Sequence, residues 1–105
     1  ASLIHGDLWS GNVIAGPDGA LCLIDPAAHH GWAEAELAMT GLFGGFPAAF
    51  YGAYAEAAQA LGRPLAAGWR ERFPVYNLYH LLNHLNLFGP AYLGEVSALL
   101  QHYGA

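Results

Sequence analysis

The sequence predicts an α+β domain that is mainly helical, with one β-hairpin followed by about four helices. Three observations support this class. Hydrophobic residues make up 55% of the 105 positions, which excludes a disordered chain. Two short apolar runs, residues 12–15 and 20–24, flank a Gly-Pro-Asp-Gly turn. Beyond them, apolar residues recur at helical spacing without an internal repeat, so one folded unit is expected.

The turn of the predicted hairpin lies at residues 16–19. Proline presets the second position of such a turn, and glycine relaxes the last. A turn centred on this tetrapeptide places Asn12 opposite Leu23, with Asp25 about two residues further along the partner strand. We therefore expect the side chains of Asn12 and Asp25 to meet at the open end of the hairpin.

Four helices are predicted after the hairpin, over residues 34–43, 47–61, 69–88 and 90–103. The first begins with acidic residues, which suit a helix N-terminus, and is followed by a Gly-Gly pair. The second carries proline in its first turn. In the third, Pro74 is expected to delay the regular start or to kink the helix.

Two predictions concern burial. In the third helix, Leu78, Leu81, Leu82 and Leu85 recur at i, i+3, i+4 and i+7, which predicts a core face. Cys22 lies in an apolar run and has no second cysteine with which to pair, so we expect a small buried side chain.

The main functional signal is a motif near the start of the chain. Residues 5–12 read His-Gly-Asp-Leu-Trp-Ser-Gly-Asn, and residues 24–26 read Ile-Asp-Pro. The catalytic loop of protein kinases reads His-Arg-Asp-Leu-x-x-x-Asn, where the Asp receives a hydroxyl proton and the Asn holds magnesium. Asp7 and Asn12 keep that separation, and Asp25 follows as a second magnesium ligand. The pattern predicts phosphoryl transfer.

A simpler interpretation of the motif is a tight turn, because Asp and Asn often stabilise turns with their side chains. His5, Leu8 and a hairpin in register with Asp25 favour phosphoryl transfer instead. His5 is expected to fix the loop by hydrogen bonding and not to transfer protons. Ser10 does not indicate a hydrolase, because the Gly-x-Ser-x-Gly elbow is missing.

These motifs, together with residues 34–40, 43–46 and 76–84, resemble the C-terminal lobe of the fructosamine kinase (ketosamine-3-kinase) family. That family is related to the aminoglycoside phosphotransferases and shares the protein-kinase-like fold. The resemblance covers essentially the whole chain, so residues 1–105 are expected to form one catalytic and substrate-binding lobe. The Leu-Trp-Ser-Gly-Asn form of the loop is its most specific part.

The resemblance implies ATP-dependent phosphorylation of the 3-hydroxyl of a ketosamine, either a small molecule or a glycated protein, with Mg²⁺. It implies that Asp7 is the catalytic base and that Asn12 and Asp25 are magnesium ligands. Trp9 is a candidate sugar-packing surface, since an aromatic ring suits the apolar face of a sugar; a core Trp is the equal alternative. Glu36 stands where related phosphotransferases often carry an Asp that braces the loop, and it is expected to keep that role.

The charge balance limits what this segment does alone. It contains three arginines and no lysine, with a net charge of −5, so nucleic acid is not an expected partner. The lysine with which kinases orient ATP phosphates must lie elsewhere. We therefore expect an N-terminal nucleotide-binding lobe to be missing, and the segment alone to be inactive.

Other classes remain as alternatives. An aminoglycoside- or choline-type phosphotransferase uses the same site, and a truncated, non-catalytic helical module would fit a charged content of only 10%. His80 and His84 share a helix face, but the Glu of a zinc-peptidase motif is absent, and His29 and His30 are expected in a loop. No apolar run approaches the roughly 18 residues of a membrane span. With a single cysteine, this indicates a cytoplasmic protein.

Overall fold

The computed structural model describes residues 1–103 and confirms the α+β class, with helices as the larger part. Within these residues the strands are β1 (Ser2–Ile4), β2 (Val13–Ala15), β3 (Leu21–Leu23) and β4 (His29–Gly31). They form two antiparallel pairs, β1 with β4 and β2 with β3. The second pair is the predicted hairpin.

The predicted order of four helices is confirmed. They are α1 (Ala33–Leu42), α2 (Ala48–Ala60), α3 (Phe73–Phe88) and α4 (Leu93–His102). Helix α3 begins at Phe73, with Pro74 in its first turn, so the proline delays the regular start as expected. Helix α4 begins three residues later than predicted, because Pro90–Tyr92 form a separate 3₁₀ turn. Among the described residues, no helix is long and apolar enough to cross a membrane.

The predicted pairing of Asn12 with Leu23 was wrong by one residue. Leu23 pairs with Val13, and the backbone N–H of Ile24 donates to the carbonyl of Asn12 at 2.9 Å. Asp25 therefore follows directly after the partner of Asn12. Both residues still lie at the same end of the hairpin.

The shift arises in the turn, which closes one residue later than predicted. Gly16 N–H donates to the carbonyl of Ala20 at 2.7 Å, and Gly19 N–H donates to the carbonyl of Gly16 at 2.9 Å. This is a three-residue loop whose last member has a positive φ, 81° at Gly19. The Asp18 carboxylate also accepts from Ala20 N–H at 3.0 Å, which stabilises this conformation.

The sheet of β1 and β4 was not predicted, and His29 and His30 were wrongly expected in a loop. They lie in β4, where His29 pairs with Ile4 and His30 with Leu3. Histidine and glycine carry little strand propensity, and the partner strand lies far away in sequence. The sheet brings the two parts of the motif together, because β1 leads into residues 5–12 and β4 follows Asp25.

Helix α1 is the centre of the core. Its residues 37–40 are buried, and it packs against α3. The amide Nδ2 of the buried Asn77 donates to the carbonyl of Ala38 at 2.9 Å. Leu82 was predicted in the core but is 41% exposed, because Asn77 occupies the face turned to α1. Cys22 is likewise exposed and not buried as predicted, because all three residues of β3 are exposed.

An ion pair joins the starts of α1 and α3. Arg72 donates to both carboxylate oxygens of Glu34, through Nε to Oε1 and through Nη2 to Oε2 at 3.0 Å. The hydrogen bonds from Arg72 lower the pKa of Glu34 below its ordinary value. Arg72 also donates to the carbonyl of Ala67 at 2.8 Å, which fixes the chain before α3.

Candidate functional site

The motif loop, residues 5–12, links β1 to β2 through a 3₁₀ turn at Ser10–Asn12. Gly6 is required near its start, because its φ is 90° and a β-carbon there would lie 2.2 Å from the carbonyl oxygen of Ala27. An L-residue is strained at this φ, and the close backbone leaves no room for a side chain. This explains why the position that is Arg in protein kinases is Gly here.

Glu36, in the first turn of α1, holds the beginning of the loop. Its Oε1 accepts from the backbone N–H of Gly6 at 2.9 Å, and its Oε2 accepts from that of His5 at 3.0 Å. Hydrogen bonds to a charged acceptor are stronger than those between neutral groups. Glu36 is therefore positioned for the bracing role expected of it.

His5 connects the motif loop to the Asp25 segment. Its Nε2 lies 2.8 Å from the carbonyl of Ile24, and its Nδ1 accepts from the backbone N–H of Asp7 at 3.2 Å. This network fits the neutral tautomer that carries hydrogen on Nε2. The backbone N–H of Ala27 also donates to the carbonyl of His5 at 2.8 Å. One residue thus ties together the two halves of the motif.

Asn12 and Asp7 are in direct contact. The Nδ2 of Asn12 donates to the backbone carbonyl of Asp7 at 2.8 Å and to its Oδ2 at 3.2 Å. Asn12 is 6% exposed, so this contact is well protected. Within residues 1–103, no hydrogen bond reaches Oδ1 of Asn12. An amide oxygen in this state has the hard donor character that suits Mg²⁺.

Asp25 is exposed and has a φ of 49°, the one positive value outside glycine in the described chain. Such a conformation costs free energy and persists where the surroundings enforce it. Here the enforcing contacts are those that hold Ile24 and Ala27 to either side. Residues 1–103 contain no cluster of three or more His, Cys, Asp or Glu able to hold a metal ion. Magnesium held by Asn12 and Asp25 would therefore need further oxygens from water or phosphates.

A cavity of about 630 Å³ opens beside Asp7 and Trp9. Trp9 is 37% exposed and packs edge to face on Phe43, with ring centroids 5.6 Å apart. Its indole also covers Gly11, where a β-carbon would lie 2.3 Å from the ring. Trp9 thus both lines the cavity and supports the loop, so the two alternatives predicted for it are not exclusive.

The opposite wall of the cavity comes from α3 and the turn after it, and sequence reasoning missed its importance. His84 contacts Phe43, Phe88 and Tyr92, with centroid distances of 5.4, 5.5 and 5.2 Å. His80 also lines the cavity; burial lowers its pKa, and the negative charge of Asp7 opposes that shift. The i, i+4 spacing of the two histidines was the available signal, but the spacing does not show which residues of other elements they contact.

The sequence profile named Fructosamine kinase matches residues 1–104. A probable ketoamine kinase of Synechocystis is 47% identical over 95% of this chain and 32% of its own length. The ketosamine-3-kinase of Mus musculus is 44% identical over 90% of this chain and 28% of its own length.

The fold agrees with these similarities. The crystal structure of a putative fructosamine-3-kinase from Thermobifida fusca matches with a TM-score of 0.77 and 46% identity. The match covers 94% of this chain and 33% of that structure. The chain thus spans about a third of the length of its relatives. It has a protein-kinase-like fold and belongs to the fructosamine kinase family.

Proposed function

We propose that this segment is the C-terminal lobe of an enzyme that transfers the γ-phosphoryl group of ATP to a sugar hydroxyl of a ketosamine. The observation that carries the proposal is the contact between Asp7 and Asn12 at the edge of a cavity lined by Trp9. The names of the relatives, ketoamine kinase and ketosamine-3-kinase, support the same reaction. The segment contains no lysine, so the lysine that orients the ATP phosphates is expected outside it.

Asp7 is the catalytic base in this proposal. Its Oδ2 is engaged by Asn12, which leaves Oδ1 to accept the hydrogen of the substrate hydroxyl. The hydroxyl oxygen forms the new bond to the γ-phosphorus while the bond to the bridging oxygen of ADP breaks. The proton passes to Asp7 and then to solvent. Such a reaction relies mainly on positioning, which the contacts of His5 and Glu36 provide.

Asn12 Oδ1 and the carboxylate of Asp25 are the proposed magnesium ligands. When bound, magnesium neutralises the charge of the phosphates. The strained backbone at Asp25 supports this assignment, because strain in folded proteins concentrates at functional positions.

Trp9 is the proposed sugar-packing surface, since its ring lines the cavity next to Asp7. The relatives include a chloroplastic protein-ribulosamine 3-kinase of Oryza sativa, 41% identical over 96% of this chain, so the sugar length is not fixed by the family. The substrate is a small ketosamine or a glycated protein. We propose a cytoplasmic enzyme of deglycation, because the cytoplasm supplies the ATP that this transfer consumes.

The test uses the full-length protein that contains this segment. Turnover of ATP is measured with fructosyl-lysine, in the wild type and in Asp7→Asn. Loss of the base is expected to lower kcat by about 10³-fold. Asp18→Asn is the matched control, because Asp18 lies in the exposed hairpin turn, and its turnover should stay at the wild-type rate. Unchanged turnover in Asp7→Asn would contradict the proposal.

A further inference from the structure

The aromatic row of the cavity consists of Trp9, Phe43, His84 and Tyr92, in that order, together with Phe88 beside His84. Successive ring centroids lie 5.6, 5.4 and 5.2 Å apart, and Phe88 flanks His84 at 5.5 Å. Each separation lies in the range of favourable aromatic contacts. The row therefore forms one continuous wall, which starts beside Asp7 and ends at the turn before α4.

The aromatic row is longer than a single sugar ring. A sugar ring covers the face of a single aromatic side chain, and the proposed function gives it Trp9, beside the base. The rest of the row then borders a part of the cavity that the sugar does not fill. Phe88, at the far end, is 65% exposed, so the cavity opens to solvent there. A group joined to a larger molecule can leave the cavity at that point.

The charges of the cavity favour a cation. Asp7 is the only acidic residue among the described residues that line it, and none of the three arginines of the chain contributes to the wall. Aromatic faces attract cations that lie over them. A ketosamine carries a secondary amine that is protonated near neutral pH, so its charge complements this wall.

His84 adds a polar group to the otherwise aromatic surface. Its Nδ1 lies 2.6 Å from the carbonyl of His80, one turn earlier in α3, and must donate to that oxygen. In the neutral ring, Nε2 is then an acceptor. Within the described chain, no hydrogen bond uses it. An N–H group of a ligand is the complementary partner.

We propose that the far part of the aromatic row, His84 with Phe88 and Tyr92, binds the protonated amine and the amine substituent of the ketosamine. The inference rests on the proposed function, which puts the sugar beside Asp7. Binding of the substituent by these side chains makes the protein selective for ketosamines with large amine substituents over those with a free amino group. Phe88 and Tyr92 are then specificity-determining residues.

Calorimetric titration of the full-length protein tests this with three ligands. They are fructosyl-benzylamine, 1-amino-1-deoxyfructose, and the benzyl ether of fructose at the same carbon, which lacks the charge. Fructosyl-benzylamine is expected to bind about fivefold more tightly than either of the others. The double variant Phe88→Ala with Tyr92→Ala is expected to bind fructosyl-benzylamine no more tightly than 1-amino-1-deoxyfructose, whose own affinity falls less because it has no substituent to pack on these rings. Tyr79→Ala, at an exposed tyrosine of the same helix outside this cavity, is the control.

Equal affinities for the three ligands in the wild type would overturn the inference, as would an equal loss for all three in the double variant. Phosphorylation measured on the same protein keeps the two proposals separate. If the preference depends on Phe88 and Tyr92 but no ligand is phosphorylated, the proposed function fails and the binding wall stands. If phosphorylation occurs without the preference, the binding wall fails alone. A protein that binds none of the three ligands contradicts both.

Discussion

The motif loop and the aromatic row meet at Trp9 and line one cavity, but they are held in different ways. The loop is fixed by hydrogen bonds: Glu36 binds the backbone of His5 and Gly6, and His5 binds the Asp25 segment. The row is fixed by packing between α3 and its neighbours, and Phe88 remains 65% exposed. The geometry of the loop is thus more strictly specified than that of the row, which suits the proton transfer proposed for the loop and the recognition of bulk and charge proposed for the row.

The largest expected effect concerns the backbone of the loop. In Gly6→Ala, the new β-carbon meets the carbonyl oxygen of Ala27 at a φ of 90°, so the free energy of unfolding should fall by about 3 kcal/mol. Gly19→Ala is the control, since Gly19 has a φ of 81° but nothing within 4 Å, and it should cost about 1 kcal/mol. Urea unfolding measures both. Equal losses would mean that the loop is less closely packed than described.

A smaller effect is expected from Glu36→Gln, which replaces one acceptor with an amide NH₂ that faces a backbone donor. The loss of that hydrogen bond should cost about 1 to 3 kcal/mol. Turnover should fall while the KM for the ketosamine changes little, because Glu36 is hydrogen-bonded to His5 and Gly6 and not to a residue of the aromatic row. Glu56→Gln, on the exposed face of α2, is the control. A rise in KM with unchanged kcat would show that Glu36 acts on substrate binding and not on the catalytic step.

The smallest effect lies outside both regions, in the ion pair that joins α1 to α3. Because Arg72 lowers the pKa of Glu34, the pair stabilises the fold above the ordinary pKa of 4.5, and its contribution is lost as the pH falls through the lower, folded value. Unfolding midpoints in urea, compared at pH 7 and pH 3, should therefore fall more in the wild type than in Arg72→Ala. Arg63→Ala should behave as the wild type. An identical pH dependence in Arg72→Ala would show that solvent screens the pair fully.

The motif loop and the aromatic row also differ in how far the sequence predicts them. The motif loop and the order of the four helices depend on local patterns, and both could be identified from residues close together in the sequence. The register of the hairpin was wrong because Gly19 adopts a positive φ and enlarges the turn by one residue. The spacing of turn residues does not distinguish a four-residue turn from a three-residue loop with a bulge.

Most contacts between distant residues could not be predicted, and the contact of Glu36 with the motif loop was expected only from the family resemblance. The pairing of β1 with β4, the Glu34–Arg72 ion pair and the aromatic row each join residues from separate elements. Leu82 illustrates the limit for helices, since periodicity identifies an apolar stripe but not which edge of it faces the core. Candidate residues that belong to a motif could therefore be named from the sequence, and the residues of the cavity wall could not.

The contact between Trp9 and Gly11 has a consequence for the history of the loop. The indole fills the space that a β-carbon at residue 11 would need, so glycine there is a condition of the tryptophan's position. A requirement for the ring would thus extend to a residue that has no side chain. We expect the two positions to change together: a lineage that exchanges the indole for a small residue becomes free to lose the glycine, and never in the opposite order.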